Sequence, residues 1–271
     1  MIESDRRYFA AGSTLQRVPG GRLAVMPELA PLSAGAVVLV DDPGAILANP
    51  TAWRDETLAI CANAGATELR FYTQATHSRL TNALLAAEMD LHAEIAMVRS
   101  AAELVGTEKA EAGPWSVREV TTPALWRSKA ALHARTPERP DGKPADAESW
   151  VLLERGKIEA GYMSPYLIER SGEACGAFGL SFTPELLRFK NFFVAPEGRR
   201  CGAASAALRW IGREALVRGI EAVGCFALPD STGQRLYERV GFVEVGRQLE
   251  WRFPIAARRG REERLLRNAV G

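Results

Sequence analysis

The most informative segment of the sequence reads VAPEGRRCGAASAAL and covers residues 194–208. An apolar, strand-like run leads into it, Pro196 interrupts that run, and small residues then lead into an amphipathic helical pattern. The first backbone N–H groups of a helix have no intrahelical partner, and the helix dipole is positive there. Small side chains from Gly202 onward would let an anion approach these groups, with Arg199 and Arg200 adding charge. A diphosphate site and an ordinary tight turn both fit this loop when it is taken alone.

A second patterned segment, DSTGQRLYERVGF, covers residues 230–242. Together the two segments resemble the GNAT superfamily of acetyl-CoA-dependent N-acetyltransferases. Residues 236–242 match the family's helix ending L-Y-E-x-x-G-F. The resemblance covers residues 115–253 and implies an α/β fold with a mixed, mostly antiparallel sheet flanked by helices. The residues that match the family's R/Q-x-x-G-x-G/A loop are Arg199, Gly202 and Ala204.

The resemblance implies acetyl-CoA as the acyl donor, no metal, and a role for each matched residue. The backbone N–H of Val194 would face the acetyl carbonyl, where it would stabilise the developing oxyanion. Tyr237 would donate a proton to the departing thiolate, and a phenol's ordinary pKa of about 10 keeps it protonated at neutral pH. The end of the preceding strand would separate from its neighbour and pair with the pantetheine arm. The residues implied in cofactor binding are Phe192, Phe193, Val194, Arg199, Arg200, Cys201, Gly202, Ala203, Ala204 and Asp230.

Two features of the sequence depart from the family pattern. Asp230 stands where the family often has an asparagine that touches the cofactor, and a carboxylate accepts hydrogen bonds but offers no amide N–H. We therefore keep two interpretations of Asp230, a cofactor contact and an N-terminal cap of the following helix. The strand expected at Leu186–Val194 contains no carboxylate, although many family members place a general base there. Candidates from elsewhere are Glu169, Glu173 and Glu185, while attack assisted by water, or by no base at all, stays open.

Charge and composition exclude several classes of protein. The 271 residues carry 34 basic and 33 acidic side chains, a formal net charge of +1 that gives no general attraction to nucleic acid or an anionic membrane. With 47% hydrophobic and 25% charged residues, the chain is neither disordered nor collagen-like. The longest apolar run, residues 34–40, is far below the roughly 18 residues that a spanning helix needs. The first residues lack the apolar block of a signal peptide, so we expect a cytoplasmic protein without nucleic-acid or membrane partners.

The cysteines and histidines form no metal-binding pattern. The cysteines lack a C-x-x-C pair, and the histidines lack a spacing such as H-E-x-x-H. Without a secretory signal, we expect free thiols and no bound metal. The residues concerned are Cys61, Cys175, Cys201, Cys225, His77, His92 and His133.

Composition divides the chain into an N-terminal α/β region at 1–112, a catalytic domain at 113–254 and a charged tail at 255–271. The division rests on residues 101–114, which are small, polar and charged, with glycine and proline breakers typical of a linker. Upstream of this linker, apolar and amphipathic runs predict a β-α-β-α-β order.

The sequence of the N-terminal region also resembles that of the second half of the catalytic domain. The segment around Gly65 aligns with the segment around Gly219, each a helix end followed by a strand. Residues 85–91 align with 236–242, which puts Ala86 in the place of the tyrosine. Because the loop of this region lacks the R-x-x-G-x-G/A pattern, we expect a degenerate partial repeat that does not bind coenzyme A. An unrelated α/β cap over the acceptor cleft is the competing interpretation.

The sequence thus supports two hypotheses from different classes. The first is an N-acetyltransferase that moves an acetyl group from acetyl-CoA to a primary amine of an unidentified small molecule or peptide, by direct attack in a ternary complex. The second is a catalytically weak CoA-binding sensor or protein-interaction module on the same fold. The sequence names neither the amine acceptor nor the oligomeric state, and a homodimer stays open. The residues considered for the acceptor groove are Trp126, Trp150, Tyr162 and Tyr166.

Overall fold

The computed structural model describes residues 2–32, 34–106, 114–134 and 147–255. This part of the chain forms two compact units. The central unit contains the described residues of Ile95–Gly246, and the terminal unit contains those of Ile2–Glu94 together with residues 247–255. Apart from Ile255, the expected tail lies outside the described residues.

Helices and strands alternate along most of the chain. From residue 2 to residue 106 the elements are α1 (Ile2–Ala10), β1 (Thr14–Val18), β2 (Gly21–Val25), β3 (Ala36–Val40), α2 (Pro43–Ala48), α3 (Pro50–Asn63), β4 (Glu68–Gln74), α4 (Ser78–Ala86), β5 (Asp90–Ser100) and α5 (Ala101–Gly106). From residue 115 they are β6 (Trp115–Glu119), α6 (Pro123–Ala134), α7 (Ala147–Glu159), β7 (Ser164–Arg170), β8 (Glu173–Phe182), β9 (Leu186–Val194), α8 (Ala203–Val217), β10 (Ala222–Ala227), α9 (Thr232–Arg239) and β11 (Val243–Pro254).

Each unit is built on a mixed sheet with a single parallel pair. In the central unit the strand order is β5-β10-β9-β8-β7-β6, and only β9 and β10 are parallel. In the terminal unit the order is β1-β2-β3-β4-β11, and only β3 and β4 are parallel. Helices flank these sheets, so the predicted α/β fold with a mixed, mostly antiparallel sheet is confirmed.

The central unit buries apolar side chains on both faces of its sheet. On one face α8 contributes a helical stripe that includes Leu208 and Ile211, both with almost no exposed surface. On the other face Leu132 of α6 packs against Leu167 and Ala177 of the sheet. Each fully buried leucine or isoleucine contributes about 1.5–3 kcal/mol to the free energy of unfolding, so these two layers fix the strands between them.

The unit borders differ from the domain borders expected from composition. Residues Ile95–Ser100 of β5 pair antiparallel with Ala227–Ala222 of β10, so the central unit begins well before residue 113. Gln248 and the residues after it in β11 instead pair with β4 of the terminal unit. Sheet pairing between segments distant in the sequence, rather than linker composition, decides where each unit begins and ends.

The first part of the expected linker is a helix. Helix α5 buries Ala101 and Leu104, and it packs closely on α8, where a Cβ added to Gly212 would lie 3.2 Å from the Ala101 carbonyl oxygen. The prediction of a linker is therefore wrong for residues 101–106, because small residues serve close helix packing as well as flexible connections. Residues 107–113 lie outside the described part.

The structure supports one half of the internal alignment and shifts the other half. At the ends of α3 and α8, Gly65 and Gly219 have φ of 83° and 70°, and each is followed by the same helix-closing hydrogen bond. At the ends of α4 and α9 the matching bonds are Met89 N to Leu84 O and Phe242 N to Tyr237 O. The prediction that Ala86 takes the place of Tyr237 is therefore wrong. Leu84 takes that place, so the terminal unit still has no phenol there.

Candidate active site

Strands β9 and β10 pair at one end and separate at the other. The paired residues are Leu186 with Ala222, Leu187 with Val223, and Arg188 with Gly224. Beyond them, residues 189–194 of β9 and 225–227 of β10 have no pairing with one another, and we call this opening the β9–β10 cleft. The separation expected at the end of β9 is present.

A bulge in β9 lies beside this cleft. Lys190 pairs with Gly179 of β8, but Phe193 pairs with Ala177, so β9 carries one residue more than β8 between these pairs. Asn191, at the bulge, has a left-handed backbone with φ of 51°. Asparagine is among the few residues other than glycine that tolerate this conformation. Its side-chain Nδ2 donates a hydrogen bond to Oε1 of Glu154 on α7, at 2.9 Å.

The register after the bulge sets the direction of the Val194 amide. Ala195 N donates to Cys175 O at 2.8 Å, so Val194 and Gly176 form a pair without mutual hydrogen bonds. In such a pair the N–H and C=O of Val194 point away from β8, toward the cleft. The Val194 carbonyl accepts a hydrogen bond from Nε of Arg199 at 2.9 Å, which ties the loop to the strand end.

The loop between β9 and α8 leaves the start of α8 without a side-chain cap. Gly202 is the N-cap, with φ of 89°, and it has no side chain to accept from the first-turn amides. The N-caps of α3 and α9, Asn49 and Ser231, both accept such a bond. Arg200 also has a left-handed backbone, with φ of 59°, and the indole N–H of Trp115 donates to the Cys201 carbonyl at 3.1 Å. The loop thus presents exposed backbone at a helix start, which is the arrangement that binds anions.

Tyr237 is buried where β10 leaves β9. It is 6% exposed, and its ring packs edge-on against Phe189, with the centroids 5.4 Å apart, and lies near Phe192 and Phe242. Burial raises the pKa of the Tyr237 phenol, and the neighbouring Cys225 thiol raises it further. The hydroxyl is therefore neutral at physiological pH and can act as a proton donor.

Asp230 does not cap α9. Its backbone is left-handed, with φ of 58°, whereas an N-cap residue has an extended backbone. Ser231 occupies the cap, with ψ of 162°, and its Oγ accepts from Gln234 N at 3.0 Å. The Asp230 N–H donates to Oε1 of Gln234 at 2.7 Å. The capping interpretation of Asp230 is therefore wrong, while its contact with a cofactor stays a prediction.

The structure separates the three candidate bases. The carboxylate of Glu169 is buried in an ion pair with Arg118, at 3.0 Å. Glu173 is exposed at the first position of β8, next to the turn from β7. Glu185 precedes the first residue of β9 and so lies at the opposite end of that strand from Val194.

A buried polar cluster that the sequence did not indicate touches β9 from α6 and α7. Nζ of Lys129 lies 2.8 Å from Oε2 of Glu154, whose other oxygen accepts from Asn191. Nε2 of His133 is 3.1 Å from the same ammonium, and the His133 ring packs on Phe193 with centroids 4.6 Å apart. We call Lys129, His133, Glu154 and Asn191 the α6–α7 polar cluster. The lysine, histidine and glutamate are spaced as on any amphipathic helix, so only the folded structure brings them to the bulge.

Burial and charge set the protonation of this cluster. Burial lowers the pKa of His133 to about 4, with the Lys129 ammonium contributing, so the imidazole is neutral at neutral pH. Burial opposes ionisation of Glu154, but the Lys129 ammonium and the hydrogen bond from Asn191 hold the pKa of this carboxyl below its ordinary value. Lys129 therefore bonds an ionised carboxylate and a neutral ring.

The aromatic residues considered for the acceptor groove fall in different places. Tyr166 is buried and stacks on Phe178, with centroids 5.4 Å apart, so it belongs to the core under α8. Trp126 packs on the opposite face of the sheet, with the guanidinium of Arg155 over its ring.

Metal-binding clusters and membrane-spanning helices are absent from the described residues. No cluster of three or more histidine, cysteine, aspartate or glutamate side chains there could hold a metal ion. None of the helices in that part is both long and apolar enough to cross a membrane. Of the four cysteines, Cys201 is exposed and the other three are buried, all as free thiols.

Comparisons with known proteins agree with the fold. The family model for the acetyltransferase (GNAT) domain matches residues 147–244. A solved GCN5-related N-acetyltransferase from Kribbella flavida superposes with a TM-score of 0.64 at 12% identity, over 93% of this chain and 94% of its own. A GCN5-related N-acetyltransferase from Sphaerobacter thermophilus gives 0.58 at 16% identity, over 87% of this chain and 77% of its own.

A tandem GNAT protein from the clavulanic acid biosynthesis pathway is also similar, with a TM-score of 0.57 at 16% identity over 87% of this chain and 78% of its own. At such identities these likenesses show the fold alone. The comparison with curated protein sequences found no match. The match of the family model, on the fold described above, assigns residues 147–244 to the GNAT acetyltransferases, a family of acyltransferases.

Proposed function

We propose that the central unit transfers an acetyl group from acetyl-CoA to a primary amine of a small molecule or peptide, by direct attack in a ternary complex. The observation that carries the proposal is the β9–β10 cleft. An outward-facing amide of Val194 borders the cleft, an uncapped helix start follows it in the chain, and the neutral phenol of Tyr237 is buried where β10 leaves β9.

The residues of the loop fit a diphosphate. In the proposal, the backbone amides from Arg200 to Ala204 hold the diphosphate of coenzyme A, and the exposed guanidinium of Arg200 adds positive charge. Gly202 has no Cβ to obstruct the approach, and its left-handed φ of 89° suits glycine. The unpaired edge of β9 at Phe192–Val194 offers hydrogen-bonding groups to the pantetheine arm, as a sheet edge does to an added strand.

The reaction then follows from these positions. The amine attacks the thioester carbonyl, and the Val194 N–H stabilises the negative charge that develops on the carbonyl oxygen. As the tetrahedral intermediate collapses, the C–S bond breaks and the phenol of Tyr237 gives its proton to the sulfur. The amine nitrogen releases its extra proton to solvent. The phenolate then recovers a proton, which returns the enzyme to its starting state.

The terminal unit is proposed not to bind coenzyme A. Its equivalent helix starts are already capped, because Asp42 accepts from Gly44 N at 2.8 Å and Asn49 accepts from Ala52 N at 3.0 Å. The Asp42 carboxylate would also repel a diphosphate. These contacts support the interpretation of this unit as a degenerate partial repeat.

The test is calorimetric titration of coenzyme A into the unchanged protein and two variants. Ala204→Asp places a carboxylate in the first turn of α8, where it suits the helix dipole but repels a diphosphate. We expect the dissociation constant to rise about tenfold or more, which corresponds to about 1.4 kcal/mol. Thr51→Asp is the matched control, since it makes the same kind of change at the equivalent position of α3 in the terminal unit.

Each outcome has a defined meaning. Unchanged affinity in Ala204→Asp, or an equal loss in Thr51→Asp, would contradict the assignment of the loop. Thiol release measured against a panel of primary amines and peptides then separates the enzyme from the alternative. Coenzyme A binding without thioester cleavage on any acceptor would support a CoA-binding sensor instead.

A further inference from the structure

We propose that the α6–α7 polar cluster is a positioning device for acyl transfer: the Lys129–Glu154 ion pair holds Asn191 and, through it, the bulge that directs the Val194 N–H into the cleft. This inference rests on the proposed function of the same site. Lys129, Glu154 and Asn191 are positioning residues, since none of them is assigned a contact with the reacting atoms.

The ion pair between Lys129 and Glu154 is fully buried. Lys129 is 0% exposed and Glu154 is 1% exposed, with Nζ and Oε2 separated by 2.8 Å. Removing both charges from water is expensive, and well-packed apolar residues of similar size are often as stable or more stable. An apolar pair could therefore stabilise the fold as well as this ion pair does. What an apolar pair could not supply is a carboxylate oxygen held at a fixed place beside β9.

That oxygen holds Asn191 in a conformation that a strand residue does not otherwise adopt. The φ of Asn191 is 51°, in the left-handed region, and its amide donates to Oε1 of Glu154 at 2.9 Å. The backbone at this position thus depends on a side-chain anchor supplied by α7. His133 completes the arrangement by accepting from Lys129 and packing on Phe193, two residues further along β9.

The register shows what the bulge achieves. Lys190 faces Gly179 before the bulge, and Val194 faces Gly176 after it. Without the extra residue, Phe193 would face Gly176 and would present the outward amide, while the Val194 N–H would turn toward β8. A single extra residue therefore decides which amide faces the thioester.

The test is the carbonyl stretching frequency of bound acetyl-CoA carrying carbon-13 at the acetyl carbonyl, measured by isotope-edited infrared spectroscopy. A hydrogen bond from Val194 lowers this frequency, and no acceptor amine is needed. In the double variant Lys129→Met/Glu154→Leu, we expect acetyl-CoA to bind within about threefold of the normal affinity but with the frequency of the free thioester. Asn191→Val, which disfavours the left-handed backbone and removes the anchor, should give the same loss without disturbing the buried pair.

A rescue experiment distinguishes a positioning role of the cluster from a purely structural one. Adding Asn191→Gly to the double variant should restore the lowered frequency, since glycine adopts the left-handed backbone without an anchor. Glycine within a strand otherwise weakens it, so a purely structural role would not be rescued in this way. A stability control is Arg54→Met/Asp55→Leu, which removes an ion pair of the terminal unit and should leave the frequency unchanged.

The results that would overturn the inference are clear. A lowered frequency that persists in the double variant and in Asn191→Val would show that the cluster does not set the amide direction. A double variant that loses the frequency shift and does not regain it with Asn191→Gly would also overturn it. If the unchanged protein fails to bind acetyl-CoA, the proposed function falls, and this inference falls with it.

Discussion

At the scale of single residues, Tyr237 is the most direct test of chemistry. Its phenol is buried among Phe189, Phe192 and Phe242, and burial raises its pKa. We expect Tyr237→Phe to lower kcat by about a hundredfold or more, because a general acid typically contributes that much. The affinity for coenzyme A should stay within about threefold, since the loop at α8 is untouched. Steady-state kinetics and calorimetry on the same sample check both parts.

The matched control is Tyr166→Phe, which removes a hydroxyl from another buried tyrosine of the same unit. It should leave kcat unchanged. An equal loss in both variants would mean that Tyr237 acts through packing and not as an acid.

Because His133 is buried, we expect the free energy of unfolding to depend on pH. Its pKa in the folded protein is about 4, mainly because of burial, against an ordinary value of 6.5. Between these values the unfolded chain binds the proton and the folded chain does not, so stability falls as the pH drops from about 6.5 to about 4. The contribution at neutral pH is at most about 3 kcal/mol. Urea unfolding across this range should show a shallower loss in His133→Phe than in the unchanged protein.

The control for this pH series is His92→Gln, at an exposed position on β5. It should follow the curve of the unchanged protein. Parallel curves for the unchanged protein and His133→Phe would contradict the neutral, buried imidazole.

Sequence reasoning at this scale was limited to residues with a local pattern and did not indicate contacts that form only in the fold. The loop glycine, the two arginines and Tyr237 belong to short motifs that are visible in a linear sequence. Asn191 and Glu154 come together only because β9 bulges and α7 packs beside it. Asp230 and Ser231 are both good N-cap residues, so the sequence could not tell which would have the extended backbone.

At the scale of elements, the cap of α9 is the clearest prediction. Ser231→Ala removes the acceptor for Gln234 N and should lower the free energy of unfolding by about 1 kcal/mol. Asp230→Gly, one residue earlier, should leave stability nearly unchanged, because glycine adopts the left-handed backbone of this position and the Asp230 side chain is not the cap. Chemical denaturation of both variants measures the difference. A larger loss in Asp230→Gly than in Ser231→Ala would reverse the assignment.

Periodicity predicted the elements that bury one clear face and missed those that do not. The limits of β9 agree with expectation. Strand β1 was not predicted, because four of its five residues are exposed and it shows no apolar alternation. Helix α5 was hidden because a helix of six residues is too short to display a period.

At the scale of the whole molecule, the borders of the units predict which fragments fold. A fragment of residues 113–254 lacks Ile95–Ser100, so it leaves the edge of β10 unpaired and the core without Ile95 and Met97. We expect it to aggregate, as unprotected strand edges do. A fragment of residues 95–246 keeps the complete central sheet and should remain monodisperse and bind coenzyme A. Size-exclusion chromatography followed by calorimetry compares the two.

A monodisperse 113–254 fragment with normal affinity would show that β5 is dispensable.

The sequence could not supply this border, since pairing between residues more than a hundred positions apart leaves no local mark in composition. The fold class was accessible from local patterns, whereas the division into units depends on long-range sheet register.

The pairing of β11 with β4 also has a consequence for how the chain is made. Strand β4 forms seven residue pairs with β11 but only one with β3, so its main partner is among the later segments to leave the ribosome. During synthesis, Ile2–Glu94 is made before β11. The edge of β4 that pairs with β11 therefore stays unpaired while the central unit is translated and can fold. The unit that is begun first is thus completed last, and until then it exposes an unpaired strand edge.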